Sequence, residues 1–282
     1  MTIRHLTRDD QEPAGRLFAG LAASLEGDCD HRAPLILLHG LTFDRTMWRP
    51  AVAELRELDP GRQIFAVGLP GHGRSPAWPS YDFQGIADAV HRAARAAKLR
   101  APVLVGHSAG AVIATVYASR HPACGVVNVD QWLQTEPLAK LFQSLSGQLR
   151  GPGFVAVWEM VEAGMQIGLL PQATQELLRS ARNLRQELVT GYLRELLDRP
   201  AHEFAADAAA QLAALRTAQM PYLFVLGNKV GPDHLNWLNH VLPQASVTEW
   251  PASGHFPHLA HPRRFAECLA ATARWAEPAN QP

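Results

Sequence analysis

The segment Val103-Leu104-Val105-Gly106-His107-Ser108-Ala109-Gly110-Ala111-Val112-Ile113 passes from a short apolar run through Gly-x-Ser-x-Gly into a run with helical character. Strand, sharp turn and helix in immediate succession hold a serine on a strained backbone. A side chain at Gly106 or Gly110 would collide with neighbouring main chain, so the two glycines belong to the turn as much as the serine does. The arrangement lifts the Ser108 hydroxyl above a sheet edge. It also sets that hydroxyl at a helix N-terminus, where unpaired amides can hold a developing oxyanion.

Further runs of the same kind lie on either side. Leu35–Leu38, Ile64–Val67, Val126–Val129 and Tyr222–Leu226 are short, almost wholly apolar and bounded by Gly, Pro, Asp or Asn. Runs that do not alternate read as parallel strands buried on both faces. Helical patterns at 46–57, 83–98 and 109–120, and from Pro262 to Ala276, fall between or after them, with Pro262 as a first-turn proline. Alternation of this kind predicts an α/β fold, a doubly wound, mostly parallel sheet. The stretch 131–217 has no strand pattern and is rich in Leu, Ala, Gln and Arg. Gly151-Pro152-Gly153 and Leu170-Pro171 cut it into helices. It is far longer than a crossover needs, so it is expected to be a helical lid inserted over the strand ends, with 1–130 and 218–282 forming the core.

Composition narrows the partners. The 26 basic residues match the 26 acidic ones, and no basic stripe is present, which speaks against nucleic acid. With 47% hydrophobic and 18% charged residues the chain reads as an ordered globule. Three well-separated cysteines, Cys29, Cys124 and Cys268, form neither a disulfide framework nor a zinc cluster. Lysine occurs only at Lys98, Lys140 and Lys229, a bias toward arginine expected of a GC-rich bacterial genome. The first thirty residues are charged throughout, without a signal-peptide apolar run. No stretch approaches the roughly 18 apolar residues that span a bilayer. A cytoplasmic protein, monomeric or homodimeric, with no membrane partner, is expected.

A serine hydroxyl needs a base. His255, in Ser253-Gly254-His255-Phe256-Pro257, lies near the C-terminus in the chain order such a fold uses. His39, His72, His107 and His258 read instead as local hydrogen-bonding groups and pocket lining. No His, Cys or carboxylate spacing suits a metal, and Gly71-His72-Gly73 is too short for a dinucleotide fingerprint, so no cofactor is expected.

On His39-Gly40-Leu41, Gly68-Leu69-Pro70-Gly71-His72-Gly73-Arg74-Ser75, Gly106–Gly110 and Ser253–Pro257 the chain resembles the α/β-hydrolase fold superfamily, from about residue 33 to 276. The resemblance implies an oxyanion hole from the amides of Leu41 and Ala109. It also implies an Asp after the strand 222–226, but Val230 stands at that position. Two carboxylates could substitute, Asp233 behind Gly231-Pro232 and Asp130 at the end of the strand 126–129. A strand end fixes a side chain better than a Gly-Pro loop does, which favours Asp130 as the acid over its plainer reading as a helix cap.

Ser108, His255 and Asp130 then define acyl transfer to water through an acyl-enzyme, on an ester, lactone or related carbonyl compound. Cofactor-free dioxygenases that cleave 3-hydroxy-4-oxoquinolines share the fold. The segment Gly125–Leu133 resembles their His–Asp dyad, although they carry a second histidine where this chain has Ala109. A receptor-like ligand-binding member is a third reading. Among possible substrate contacts, Leu141, Phe142, Phe154, Val157, Trp158, Met160, Met165 and Ile167 would as a group line an apolar pocket. Trp48 and Trp132, on loops at the strand ends, and His39 and His107 complete the expected lining. The substrate is expected to be small or medium-sized and hydrophobic.

Overall fold

The computed structural model describes residues 15–28 and 30–276; Cys29 and the charged N-terminal stretch before Gly15 lie outside them. Eight strands form one sheet: β1 (Arg16–Phe18), β2 (Leu21–Glu26), β3 (Leu35–Leu38), β4 (Ile64–Val67), β5 (Val103–His107), β6 (Gly125–Val129), β7 (Tyr222–Leu226) and β8 (Ser246–Glu249). Their order across the sheet is β1-β2-β4-β3-β5-β6-β7-β8. The first two pairings are antiparallel and the rest parallel. The α/β expectation therefore holds, and the five apolar runs are five of the strands.

Every residue of β3, β5 and β6 is buried, because helices cover both faces. Ile36, Leu38, Leu104 and Val126 pack on one side with α2 (Phe83–Ala96), α3 (Ala109–Ala118) and α10 (Ala201–Thr217). Leu35, Leu37, Val103, Val105 and Val127 pack on the other with α1 (Arg49–Leu58) and α13 (Pro262–Ala271). Each such side chain contributes about 1.5–3 kcal/mol by leaving water. The final helical pattern stops five residues early: α13 ends at Ala271 and a 3-10 turn, Thr272–Arg274, follows.

Three strands escaped the sequence reading. β1 and β2 lie at one edge and β8 at the other, and none of the residues of β8 is fully buried. The edge strands β1 and β8 have no need of an unbroken apolar run, and β2, second from its edge, is buried only at Leu21–Ala23, so the pattern of each is weak.

Between β6 and β7 the chain forms α4 (Thr135–Ser144), α5 (Ser146–Arg150), α6 (Phe154–Gly164), α7 (Gln172–Ala181), α8 (Gln186–Tyr192), α9 (Arg194–Asp198) and α10. The two proline cuts fall where expected. Gly151 ends α5, and Pro171 immediately precedes α7. Backbone-directed bonds tie this insert to loops at the sheet edge, among them one from the Arg185 guanidinium to Gly71 O. The amide of Asn183 donates to Thr42 O (2.7 Å), that of His255 to Met165 O (3.0 Å), and Tyr192 OH to Pro70 O (2.8 Å).

Candidate active site

Because β3, β5, β6 and β7 run parallel, their C-terminal ends share one edge, the usual place for a ligand in such sheets. At β5 the chain turns through Ser108, whose φ of 52° and ψ of −123° lie outside the regions a side-chain-bearing residue prefers. Two contacts explain why the turn needs glycines. A Cβ at Gly106 would sit against the carbonyl of Gly110, and one at Gly110 against the carbonyl of Leu38. Ser108 precedes α3, but its hydroxyl makes no capping bond to that helix and is left for other work. The amide of Ala109, in the first turn of α3, has no partner within the helix.

The His39-Gly40-Leu41 turn comes close to this elbow. A Cβ on Gly40 would lie 2.6 Å from His107 Nδ1 and 3.4 Å from Ser108 Cβ, so only glycine lets this turn lie against the elbow. Two neutral histidines hold the turn in shape. His39 Nε2 accepts from the Leu69 amide (3.0 Å), and its Nδ1 donates to Gly40 O (2.9 Å). His72 Nε2 accepts from the Thr42 amide (3.3 Å) while Nδ1 donates to Pro70 O (3.1 Å). Burial brings His39 down to about 4 and His72 down to about 3, so each keeps one bare ring nitrogen as acceptor. Ser75 fastens the same region, accepting from the Ala22 amide (2.9 Å) and donating to Gly68 O (2.6 Å).

His255 follows β8 through a turn in which Ala252 and Gly254 have positive φ. Its Nδ1 lies 2.7 Å from Asp130 Oδ2. Asp130 ends β6 with φ 52°; its amide donates to Val225 O (2.9 Å), and its Oδ1 accepts from the Gly227 amide (2.8 Å). Both carboxylate oxygens are thus engaged, one by the Gly227 amide just after β7 and one by the imidazole. Asp233 lies elsewhere, exposed in the first turn of α11 (Pro232–Val241).

Behind Asp130 lies a network that the sequence reading missed. Asn128, fully buried within β6, accepts from the Gln131 amide (3.0 Å) and donates to Gln131 O (3.0 Å) and Tyr222 OH (3.1 Å). Tyr222 in turn meets Thr115 Oγ1 at 2.8 Å on α3. Burial pushes its hydroxyl up to about 12. A polar Asn inside Val126-Val127-Asn128-Val129 was the available signal, since a buried amide side chain has to be hydrogen-bonded.

Ser108, Asp130 and His255 open into one cavity of about 580 Å³. Leu41 and Ala109 are in its wall, as are Trp132, Phe142 and Trp158. Leu141 and Met165 join them, whereas Phe154 and Val157 are buried in the core and Met160 is exposed. Three expected lining residues are corrected. His39 is fully buried as a brace of the His39-Gly40-Leu41 turn, and Trp48 is buried with its ring centroid 4.7 Å from that of His258 and 6.1 Å from that of Phe265. His107 is also fully buried, with Nε2 donating to His255 O at 2.8 Å. His39 and Trp48 were expected at the cavity because they follow a strand end, and His107 because it stands in the elbow beside Ser108, but all three side chains are buried in the core. Among the described residues, no group of three or more His, Cys, Asp or Glu is placed to hold a metal, and no helix is long and apolar enough to cross a membrane.

The chain belongs to the alpha/beta hydrolase family, whose model matches residues 35–268, and it is an esterase-like hydrolase. It is 31% identical over 249 residues to a pimeloyl-[acyl-carrier protein] methyl ester esterase of Chromobacterium violaceum, covering 83% of this chain and 89% of that one. It is 26% identical over 262 residues to the sn-1-specific diacylglycerol lipase ABHD11 of Mus musculus, with coverages of 87% and 82%. Among solved structures, AqDC, described for recognition and ring-cleavage of the Pseudomonas quinolone signal, superposes with a TM-score of 0.74 at 15% identity. That match covers 92% of this chain and 98% of the other, a likeness of fold.

Proposed function

We propose that the protein cleaves a small or medium-sized hydrophobic ester, lactone or related carbonyl compound through an acyl-enzyme on Ser108. The observation that carries the reading is His255 held at 2.7 Å by Asp130 at the cavity that also contains Ser108. His255 takes the proton of Ser108 as the hydroxyl attacks the carbonyl carbon. The amides of Leu41 and Ala109 stabilise the oxyanion, and Asp130 keeps the imidazole oriented and balances its charge. His255 then protonates the leaving group, and water releases the acyl chain by the same route. The helices between β6 and β7 act as a lid, and Trp132, Phe142 and Trp158 contact the substrate. The partner is the small molecule alone, with no nucleic acid or membrane, in a cytoplasmic monomer or homodimer. The test is hydrolysis of p-nitrophenyl esters by wild type and Ser108→Ala, with mass spectrometry of the quenched reaction. We expect kcat to fall by about three to six orders of magnitude and a serine-linked acyl adduct on the wild type alone. Undiminished hydrolysis by the variant would sink the reading.

A second reading is favoured by one feature, the position of the acid at the end of β6 rather than after β7. A His255–Asp130 dyad could instead deprotonate the hydroxyl of a 3-hydroxy-4-oxoquinoline for cofactor-free reaction with oxygen, with Ser108 serving only as a hydrogen-bonding group. Oxygen uptake with such a quinolone, in the absence of esterase activity, would establish it in place of the first.

A further inference from the structure

Buried hydrogen-bonding groups normally have partners, and each exception calls for an explanation. The indole N–H of Trp158 and the hydroxyl of Thr135 are both buried without one. Trp158 is 3% exposed and Thr135 9%. Other partnerless buried side-chain atoms of the described residues, such as those of Trp48, Ser253 and His258, belong to residues outside the cavity wall, whereas Trp158 and Thr135 are part of it. Both stand on the insert, Trp158 on α6 and Thr135 at the start of α4. Ser108, Asp130 and His255 come from the sheet edge.

The surroundings offer these two groups nothing. Leu138, Phe142, Val161, Leu196 and Phe204 make much of that side of the cavity apolar. Gln134 also lies in the wall, but its side-chain carbonyl faces His234 Nδ1 at 3.0 Å. The N–H of Trp158 can only donate, and a ligand that satisfies it must present an acceptor. No lysine or arginine is among the lining residues. A carboxylate would be buried there without a counter-ion, a costly arrangement, so the acceptor has to be uncharged.

Resting on the assignment of Ser108 as nucleophile, we propose that Trp158 and Thr135 form a subsite for a second, neutral acceptor oxygen on the substrate. The substrate class is then an ester or thioester bearing a ketone or further carbonyl remote from the scissile bond. That oxygen is seated on the insert while the reacting carbonyl meets Ser108. Apolar walls select the chain between the two oxygens, and the donor pair selects the functional group.

The test compares kcat/KM for p-nitrophenyl heptanoate with p-nitrophenyl oxoheptanoates carrying the ketone at C4, C5 or C6. A mirrored series places the acceptor in the alcohol, heptyl acetate against oxoheptyl acetates. Wild type should prefer at least one keto ester over its alkyl counterpart by about tenfold. Trp158→Phe and the isosteric Thr135→Val should each lower that keto-to-alkyl ratio by about fivefold, the worth of one hydrogen bond. A change of cavity shape alone would move both esters together and leave the ratio intact. An unchanged ratio in both variants, or no keto preference in either series, overturns the proposal. Ser108→Ala is run alongside. Hydrolysis that survives it defeats the nucleophile assignment, which is a different failure from a ratio that does not move.

Discussion

β6 and β7 are neighbours in the sheet, paired in register from Val126↔Tyr222 to Val129↔Val225, and they end side by side yet differently. β6 delivers Asp130 straight from its last residue into a left-handed conformation, held by the carbonyl of Val225, the amide of Gly227 and His255. β7 runs into Gly227-Asn228-Lys229-Val230, where the Val230 amide is bound by the Glu249 carboxylate at 2.8 Å. Its next carboxylate, Asp233, is exposed on a helix. The end of β7 therefore supplies an amide that holds the acid, and β6 supplies the acid. Gly227 is suited to this because a side chain there would overlap the Gly254 carbonyl in the His255 loop.

The largest effect should separate the two strand ends. Asp130→Ala removes the group that orients His255, and we expect kcat for ester hydrolysis to drop by about 10⁴-fold, in line with loss of the acid from other serine hydrolase sites. Asp233→Ala should leave kcat and KM as they are. Steady-state kinetics on the two variants decides the matter, and a comparable loss in both would erase the distinction between β6 and β7.

A smaller effect probes what holds Asp130 in place. Asn128→Ala strands the Gln131 amide and carbonyl and leaves the buried Tyr222 hydroxyl with Thr115 alone. Stability should fall by about 3 kcal/mol, since buried groups left without partners cost about 1–3 kcal/mol each. Denaturant melts measure that loss. The matching kinetic outcome is a kcat lowered by roughly tenfold with KM little changed, because a loosened Asp130 orients His255 less well without altering the apolar walls.

Legibility in the sequence followed the same physics. Ser108 and His255 were readable because a strained elbow demands two glycines in fixed positions and because the chain order fixes where the base must lie. Asp130 was readable as a carboxylate at a strand end, although the family pattern pointed to position 230. Asn128 and Tyr222 were not singled out, since what they hold lies across the sheet and not along the chain. His39 and His107 do make the local hydrogen bonds expected of them, but their placement in the cavity lining, like that of Trp48, went wrong for a related reason. A loop at the sheet edge has two sides, and sequence position does not say which one a side chain takes. β1 and β8 were missed because an edge strand carries too weak an apolar pattern, and β2 because only its first half, Leu21–Ala23, is buried.

The last contrast concerns charge. Asp130 and His255 meet across the cavity edge, while four buried histidines of the core are held neutral. Burial brings His258 down to about 3, as it does His72, brings His39 to about 4, and puts His107 well below its ordinary value. The unfolded chain binds protons at these positions near pH 6.5, whereas the folded chain refuses them at His39, His72 and His258 until pH 3–4 and at His107 well below the ordinary range. Their contribution to stability is therefore complete above pH 6.5 and lost as the pH falls toward 4. Between pH 7 and pH 5 each such histidine costs about 2 kcal/mol. Urea melts of the wild type should show a steep loss over that interval. His258 has no hydrogen-bond partner on either ring nitrogen and packs among Trp48, Phe256 and Phe265, so Phe can replace it. Whatever the stability of His258→Phe at pH 7, its decline to pH 5 should be shallower than that of the wild type by about 2 kcal/mol. An equal decline in both proteins would mean that His258 is protonated in the folded state and that the packing around His255 tolerates charge after all.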